Sequence, residues 1–138
     1  MDTLLLSLQG LTGFLSHFAA ALVFLILFKS LYVFITPYRE WFLIREQKNK
    51  SAATAFGGAI VGFAIALGSA ASNSVSLLDF LLWGCVALIA QLIAFALVRF
   101  IFLPQVSADI EADQLSAGLI VAATSVAVGL LNAACMTY

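Results

Sequence analysis

Residues 77–103 read LLDFLLWGCVALIAQLIAFALVRFIFL, and this run decides the class of fold. A membrane-spanning helix needs about 20 consecutive, mostly apolar residues. This run supplies them with one acid near its start, one base near its end and a single amide, Gln91, between. Pro104 stops it, because proline has no N–H to give a helix interior and its ring clashes with the preceding turn. Upstream, Ser72-Asn73-Ser74 separates it from a second apolar stretch, 52–71, dominated by Ala and Gly. A bulky stretch, 14–36, precedes that one and closes at Thr36-Pro37, since the residue before proline is pushed out of helical geometry. The last stretch, 115–136, returns to small residues. Residues 4–11 are left over, as either a longer start to the first helix or a short interfacial helix.

The composition agrees. Of 138 residues, 64% are hydrophobic and 9% charged, where soluble domains are nearer half apolar and a quarter charged. A globular fold of this size leaves much of its surface in water and could not hide so much apolar area. The solvent is therefore lipid, and the chain reads as one integral membrane domain, 1–138, of four spans. Met1-Asp2-Thr3 carries no positive charge and the apolar stretch behind it is too long for a signal peptide, so the segment reads as retained. Cys85 and Cys135 sit at different depths, which argues against a disulfide and for two small buried hydrophobes.

A repeat runs through this order: bulky span, proline, polar loop, small-residue span, then the same again. Setting Ser51-Ala52 on Ser116-Ala117 brings Gly57-Gly58 onto Ala122-Ala123. Each half has an even number of spans, so the halves are parallel repeats about an axis along the membrane normal. The fold expected is all-α, a four-helix transmembrane bundle built from two parallel two-helix repeats. The bases Lys29, Arg39, Arg45, Lys48, Lys50 and Arg99 all lie at or beside the first and third connections. Loops 37–51 and 104–114 are thereby cytoplasmic and both termini periplasmic. The first loop is basic on balance, whereas the second carries Asp109, Glu111 and Asp113, which could bind a cation but read rather as partners of a helix dipole or a solvated face.

Gly58 and Gly62, extended by Ala66, form one small-residue stripe, and Ser125, Gly129 and Ala133 form another. Such stripes let backbones approach closely where lipid removes the hydrophobic driving force. The alternative is that the glycines line a pore. The Phe-rich first and third spans, with Phe14, Phe18, Phe24, Phe28, Phe80, Trp83, Phe95 and Phe100, read as lipid-facing.

Polar residues inside a membrane are the first place to look for function. His17, Ser69, Asn73, Asp79 and Asn132 fall toward the outer ends of their spans and could form one cluster, an ion or proton site. Against that, Ser76 and Asp79 have the spacing of a capping box, and His17 and Asn132 fit interhelical hydrogen bonds. Gln91 lies mid-span, where an unpaired amide is costly, so it either bonds a neighbouring helix or lines a cavity. No nucleophile–base set, paired carboxylates, phosphate-cradling loop or metal-ligand spacing appears, so no catalytic residue, cofactor or metal is expected. No basic run with interleaved aromatics suggests nucleic acid.

Thr36-Pro37-Tyr38, Gly57-Gly58 followed by Gly62-Phe63, the run from Ser74 to Gly84, and the run from Gly129 to Met136 together resemble the bacterial domain-of-unknown-function 350 family, the YjfL-like inner-membrane proteins. The similarity covers about residues 14–137. It implies four spans in the bacterial inner membrane, and no known reaction, ligand or active site. The function expected is a membrane interaction or structural component that forms a homo-oligomer through its small-residue helices and offers charged loops to a cytoplasmic protein partner. A small channel or transporter for an ion or solute is the alternative.

Overall fold

The structure, a computed structural model, describes residues 2–36, 40–102 and 104–136. Pro37, Tyr38, Arg39 and Leu103, which bear on the expected ends of two spans and on the charge of one loop, lie outside the described residues. Among the described residues six α-helices follow in order: α1 Asp2–Ile35, α2 Glu40–Arg45, α3 Lys50–Asn73, α4 Leu77–Leu97, α5 Val106–Glu111 and α6 Leu115–Cys135. α1, α3, α6 and α4 with the turn that continues it are long and apolar enough to cross a membrane. The short α2 and α5 occupy the same place in each half, between its two spanning helices.

Each start and stop has a local cause. Asn49 caps α3, its side chain accepting from the Ala52 N–H, and Ser76 caps α4 by accepting from the Asp79 N–H at 3.1 Å. α4 widens into a π-helical turn over Val98–Phe102, immediately before Pro104 ends the ladder. α1 runs unbroken from Asp2, so residues 4–11 are a longer start to the first helix. At 34 residues it is about 50 Å long against a hydrocarbon layer of about 30 Å.

Side-chain pairs fix the arrangement. Ser51 meets Gly118, Gly58 meets Ala122, and the Ser69 hydroxyl donates to the Ala133 carbonyl, so α3 and α6 run parallel. His17 stacks on Phe80, Phe24 lies against Gly84 and Tyr32 meets Phe95, so α1 and α4 are parallel too. Phe28 stacks on Phe63, and Tyr32 packs on Phe56, setting α1 antiparallel to α3. This is the architecture of two parallel repeats. α3 and α6 form the closest pair, and α4 packs against both. α1 packs along α3 and α4.

Two expectations need correction. The aromatic spans are not wholly lipid-facing: Phe24, Phe28, Phe80 and Phe95 are buried, whereas Phe14, Phe18 and Phe100 are exposed. Phe24, Phe28 and Tyr32 recur at four-residue steps and so share one face of α1, which turns inward. Cys85 and Cys135 are unpaired, but both face outward rather than into the core.

Candidate functional site

The α3–α6 seam is built on missing side chains. A Cβ at Gly58 would strike the Cβ and Cα of Ala122, one at Gly62 the Ser125 carbonyl, and one at Gly129 the Gly62 carbonyl. Gly118 lies as closely against the Ser51 carbonyl. Ala66 is fully buried and Ala133 half-buried. The two stripes therefore face each other within one chain. Gly57, beside Gly58, faces outward with open space around it.

Gln91 enters this seam from α4. It is 2% exposed, and its Nε2 donates to the Ser125 carbonyl at 3.1 Å. The same Nε2 would lie 2.8 Å from a Cβ at Gly62, so the glycine is also what admits the amide. Three helices meet at this point. Gln91 Oε1 is buried and has no hydrogen-bond partner among the described residues.

Of the other candidate polar residues, Asn73 and Ser69 are hydrogen-bonded to each other, and His17, Asp79 and Asn132 each bond a backbone group. Among the described residues His17 makes no hydrogen bond to another helix. Its Nδ1 lies 2.9 Å from the Gly13 carbonyl of its own helix, and since a carbonyl only accepts, Nδ1 carries the proton. What His17 offers α4 is its ring, stacked on Phe80 with centroids 5.4 Å apart. Asn73 donates to the Ser69 carbonyl at 2.9 Å, and Asn132 spans to the Ala87 carbonyl at 3.5 Å. Asp79 sits in the first turn of α4, where its carboxylate accepts from the Val75 N–H at 3.0 Å. A carboxylate there also complements the helix dipole.

The densest polar network lies at the opposite face and joins the two halves. Asn49, 3% exposed, donates to the Ile110 carbonyl at 2.6 Å while it caps α3. The Ser51 N–H donates to the Asp113 carboxylate at 3.0 Å, and the Ser51 hydroxyl donates to the Gln114 carbonyl at 2.7 Å. Asp113 thus reaches the N-terminus of α3 as well as preceding α6. Lys48 and Asp113, just before the two small-residue helices, are the non-glycine residues with positive φ among the described residues, at 54° and 58°. Each half makes the same backbone turn at the same place. Sequence reading missed this latch. The signal available was Asn49 three residues before Ala52, the spacing of an N-cap; nothing local announced that Asp113 would cap the other half's helix.

The sequence profile described as Domain of Unknown Function (DUF350) matches residues 5–136. This chain belongs to the DUF350 family. Among curated relatives, UPF0719 inner membrane protein YjfL of Escherichia coli K12 is 40% identical over 131 residues, covering 95% of this chain and 98% of the relative. UPF0719 transmembrane protein YshE of Bacillus subtilis 168 is 30% identical over 121 residues, covering 86% and 89%. No solved structure matches. With four helices fit to cross a bilayer, the DUF350 chain is a multi-pass inner-membrane protein. The glycine seam, the Gln91 joint and the Asn49–Asp113 latch are the features to which a function must attach.

Proposed function

We propose that this DUF350 chain is a membrane interaction component that presents its two short-helix loops as one fixed, two-signed surface to a cytoplasmic protein partner. The latch carries this reading. It ties the loop of Arg45, Lys48 and Lys50 to that of Asp109, Glu111 and Asp113 through buried Asn49 and Ser51, both under 5% exposed. Two flexible loops would lose conformational entropy on binding, and a pre-joined surface loses less. Arg45, Lys48, Lys50 and Glu111 stay exposed on it. The test is cross-linking and affinity capture of the full chain from native membranes, with wild type beside Lys48→Glu. A partner recovered by wild type and lost by the charge reversal supports the reading. Equal recovery by both, or none by either, overturns it. The same reading has the loops cytoplasmic and both termini periplasmic, which the placement of the basic residues supports; reporter fusions in each loop and after the last residue check this. It also holds that the chain is not an enzyme. If copies associate, they do so through outward positions of α3 such as Gly57, Ala64 and Gly68, because the Gly58–Gly62 stripe is occupied within the chain.

A small channel or transporter is the second reading, favoured by the buried, unpartnered Gln91 Oε1. Solute or ion flux in proteoliposomes of the pure protein, abolished by Gln91→Leu, would replace the first reading with this one.

A further inference from the structure

We propose that Lys29 and Trp41 form a site for the headgroup phosphate of an anionic phospholipid, at the membrane face that carries α2 and α5. Lys29 lies within the apolar α1, less than two turns, or about 9 Å, from its end at Ile35. A cation at that depth reaches the headgroup layer by extending its stem along apolar surface. α2 folds back to meet it. Lys29 Nζ sits 5.1 Å from the centroid of the Trp41 ring, within the range of a cation–π contact. That ring is held edge-on against Phe56, centroids 5.5 Å apart, and Phe56 in turn packs on Tyr32 at 5.5 Å. Trp41 therefore has a fixed position supplied by α1 and α3, not a rotamer of convenience. Phe42 beside it is 45% exposed and Trp41 41% exposed, as aromatic residues at a membrane interface are.

The ring covers one side of the ammonium group and leaves N–H donors on the other. Among the described residues no carboxylate is ion-paired with Lys29. The group that fits is an acceptor-only anion at headgroup depth, which in a bilayer is a lipid phosphate. Exposed Arg45, Lys48 and Lys50 on the following loop add a field of the same sign. Arg99 provides an internal control. Its guanidinium lies 5.4 Å from the ring of Phe100, its own sequence neighbour, and Phe100 is 72% exposed. That contact is local, with no second helix building it among the described residues.

The experiment measures lipid retained by the purified full chain, by native mass spectrometry, after loading with phosphatidylglycerol or phosphatidylcholine. The melting temperature is recorded with each lipid, and with inorganic phosphate at equal concentration. Wild type should retain the anionic lipid preferentially and melt higher with it, while free phosphate gives no shift. Lys29→Gln should lower that preference about fivefold, the equivalent of about 1 kcal/mol for one basic residue near an anionic surface. Trp41→Leu should lower it with the charge intact, and Lys29→Arg should keep it. Arg99→Gln removes the same charge and should leave it nearly unchanged. Equal losses in Lys29→Gln and Arg99→Gln would mean a diffuse field and overturn the site. Equal retention of the two lipids by wild type, a measurement that needs no variant to fold, would overturn it as well. A melting shift with inorganic phosphate matching that with the lipid would assign the site to a soluble anion and overturn the lipid.

Discussion

The two pairs of parallel helices solve the same packing problem in opposite ways. α3 and α6 touch through backbone: Gly58 against Ala122, Gly62 against the Ser125 carbonyl, Gly129 against the Gly62 carbonyl. α1 and α4 touch through rings: His17 on Phe80, Phe24 on Phe80 and Gly84, Tyr32 on Phe95. Both pairs contain a glycine that no larger residue could replace without movement. The difference lies in what must move. Gly58 faces a Cα, whereas Gly84 faces the tip of the Phe24 ring. A main chain locked in a hydrogen-bonded helix has no freedom to yield, and a phenyl ring at the border of an open groove has some. That groove, about 480 Å³, runs between Ala20, Val23, Phe24 and Leu27 of α1 and Leu77, Leu81 and Cys85 of α4. In a membrane the backbone seam makes the rigid centre, and the aromatic contacts make a compliant flank.

One added methyl group tests this most severely. Gly58→Ala and Gly62→Ala should each destabilise the protein by about 1–3 kcal/mol, the usual range for forcing extra volume into packed structure, and Gly62→Leu by more. Gly84→Ala should cost less, under about 1 kcal/mol, because the Phe24 ring can swing into the groove. Gly57→Ala, beside Gly58 but facing open space, should be neutral or gain up to about 1 kcal/mol from helix propensity. Melting temperatures in one detergent rank the five variants. If Gly84→Ala proves as damaging as Gly58→Ala, the division into a rigid seam and a compliant flank is wrong.

Much of this difference was legible in the sequence, and the rest fails for reasons that can be named. Four spans and their parallel pairing follow from length, proline positions and the alternation of bulky with small residues, all local signals. The stripes of Gly58–Gly62 and Ser125–Gly129 could be seen as packing faces because four-residue spacing places residues on one side of a helix. Which stripe would meet which was not written locally. Both are satisfied inside one chain, so the expected use of these faces between copies loses its surface. The inward turn of Phe24, Phe28 and Phe80 was missed because a helix hydrophobic on all sides carries no contrast between its lipid face and its core face. The latch was missed for a different reason: Asp113 and Ser51 lie in different halves, and a carboxylate's preference for helix N-terminal donors does not say whose helix.

Gln91 is the polar joint between rigid seam and flank, and its replacement gives a smaller effect. Gln91→Leu gives up the bond to the Ser125 carbonyl but also removes the buried, unpartnered Oε1. Interhelical hydrogen bonds inside membranes average about 0.6 kcal/mol, and the cost of burying an unmatched polar atom is comparable or greater and of opposite sign. The net change should therefore fall within about 1 kcal/mol of zero, despite near-complete burial. Hydrogen exchange should still show the seam amides of α6 around Ser125 opening more readily in the variant, because their tie to α4 is gone. A loss of several kcal/mol on melting would show that the amide is a structural keystone.

The smallest effect belongs to Asp79, in the first turn of α4 within the compliant pair, and it also separates a cap from an ion site. The carboxylate accepts from the Val75 N–H at 3.0 Å while the Ser76 hydroxyl accepts from the Asp79 N–H at 3.1 Å, a reciprocal arrangement at the start of α4. Asp79→Asn keeps an oxygen that can accept the first bond and leaves the second untouched; what it removes is the negative charge near a helix N-terminus. A charge beside a helix N-terminus typically contributes about 0.3–1 kcal/mol, and salt screens it. The expected outcome is a melting temperature slightly lower at low ionic strength that converges on wild type as salt is raised. A specific cation site would behave differently. Wild type would then melt higher with one particular cation at constant ionic strength, and Asp79→Asn would lose that increment entirely, since a neutral amide is a weaker ligand for a hard ion. Titrating sodium, potassium, magnesium and calcium at matched ionic strength distinguishes the two, and a cation-specific shift abolished by the substitution would refute the capping role assigned here.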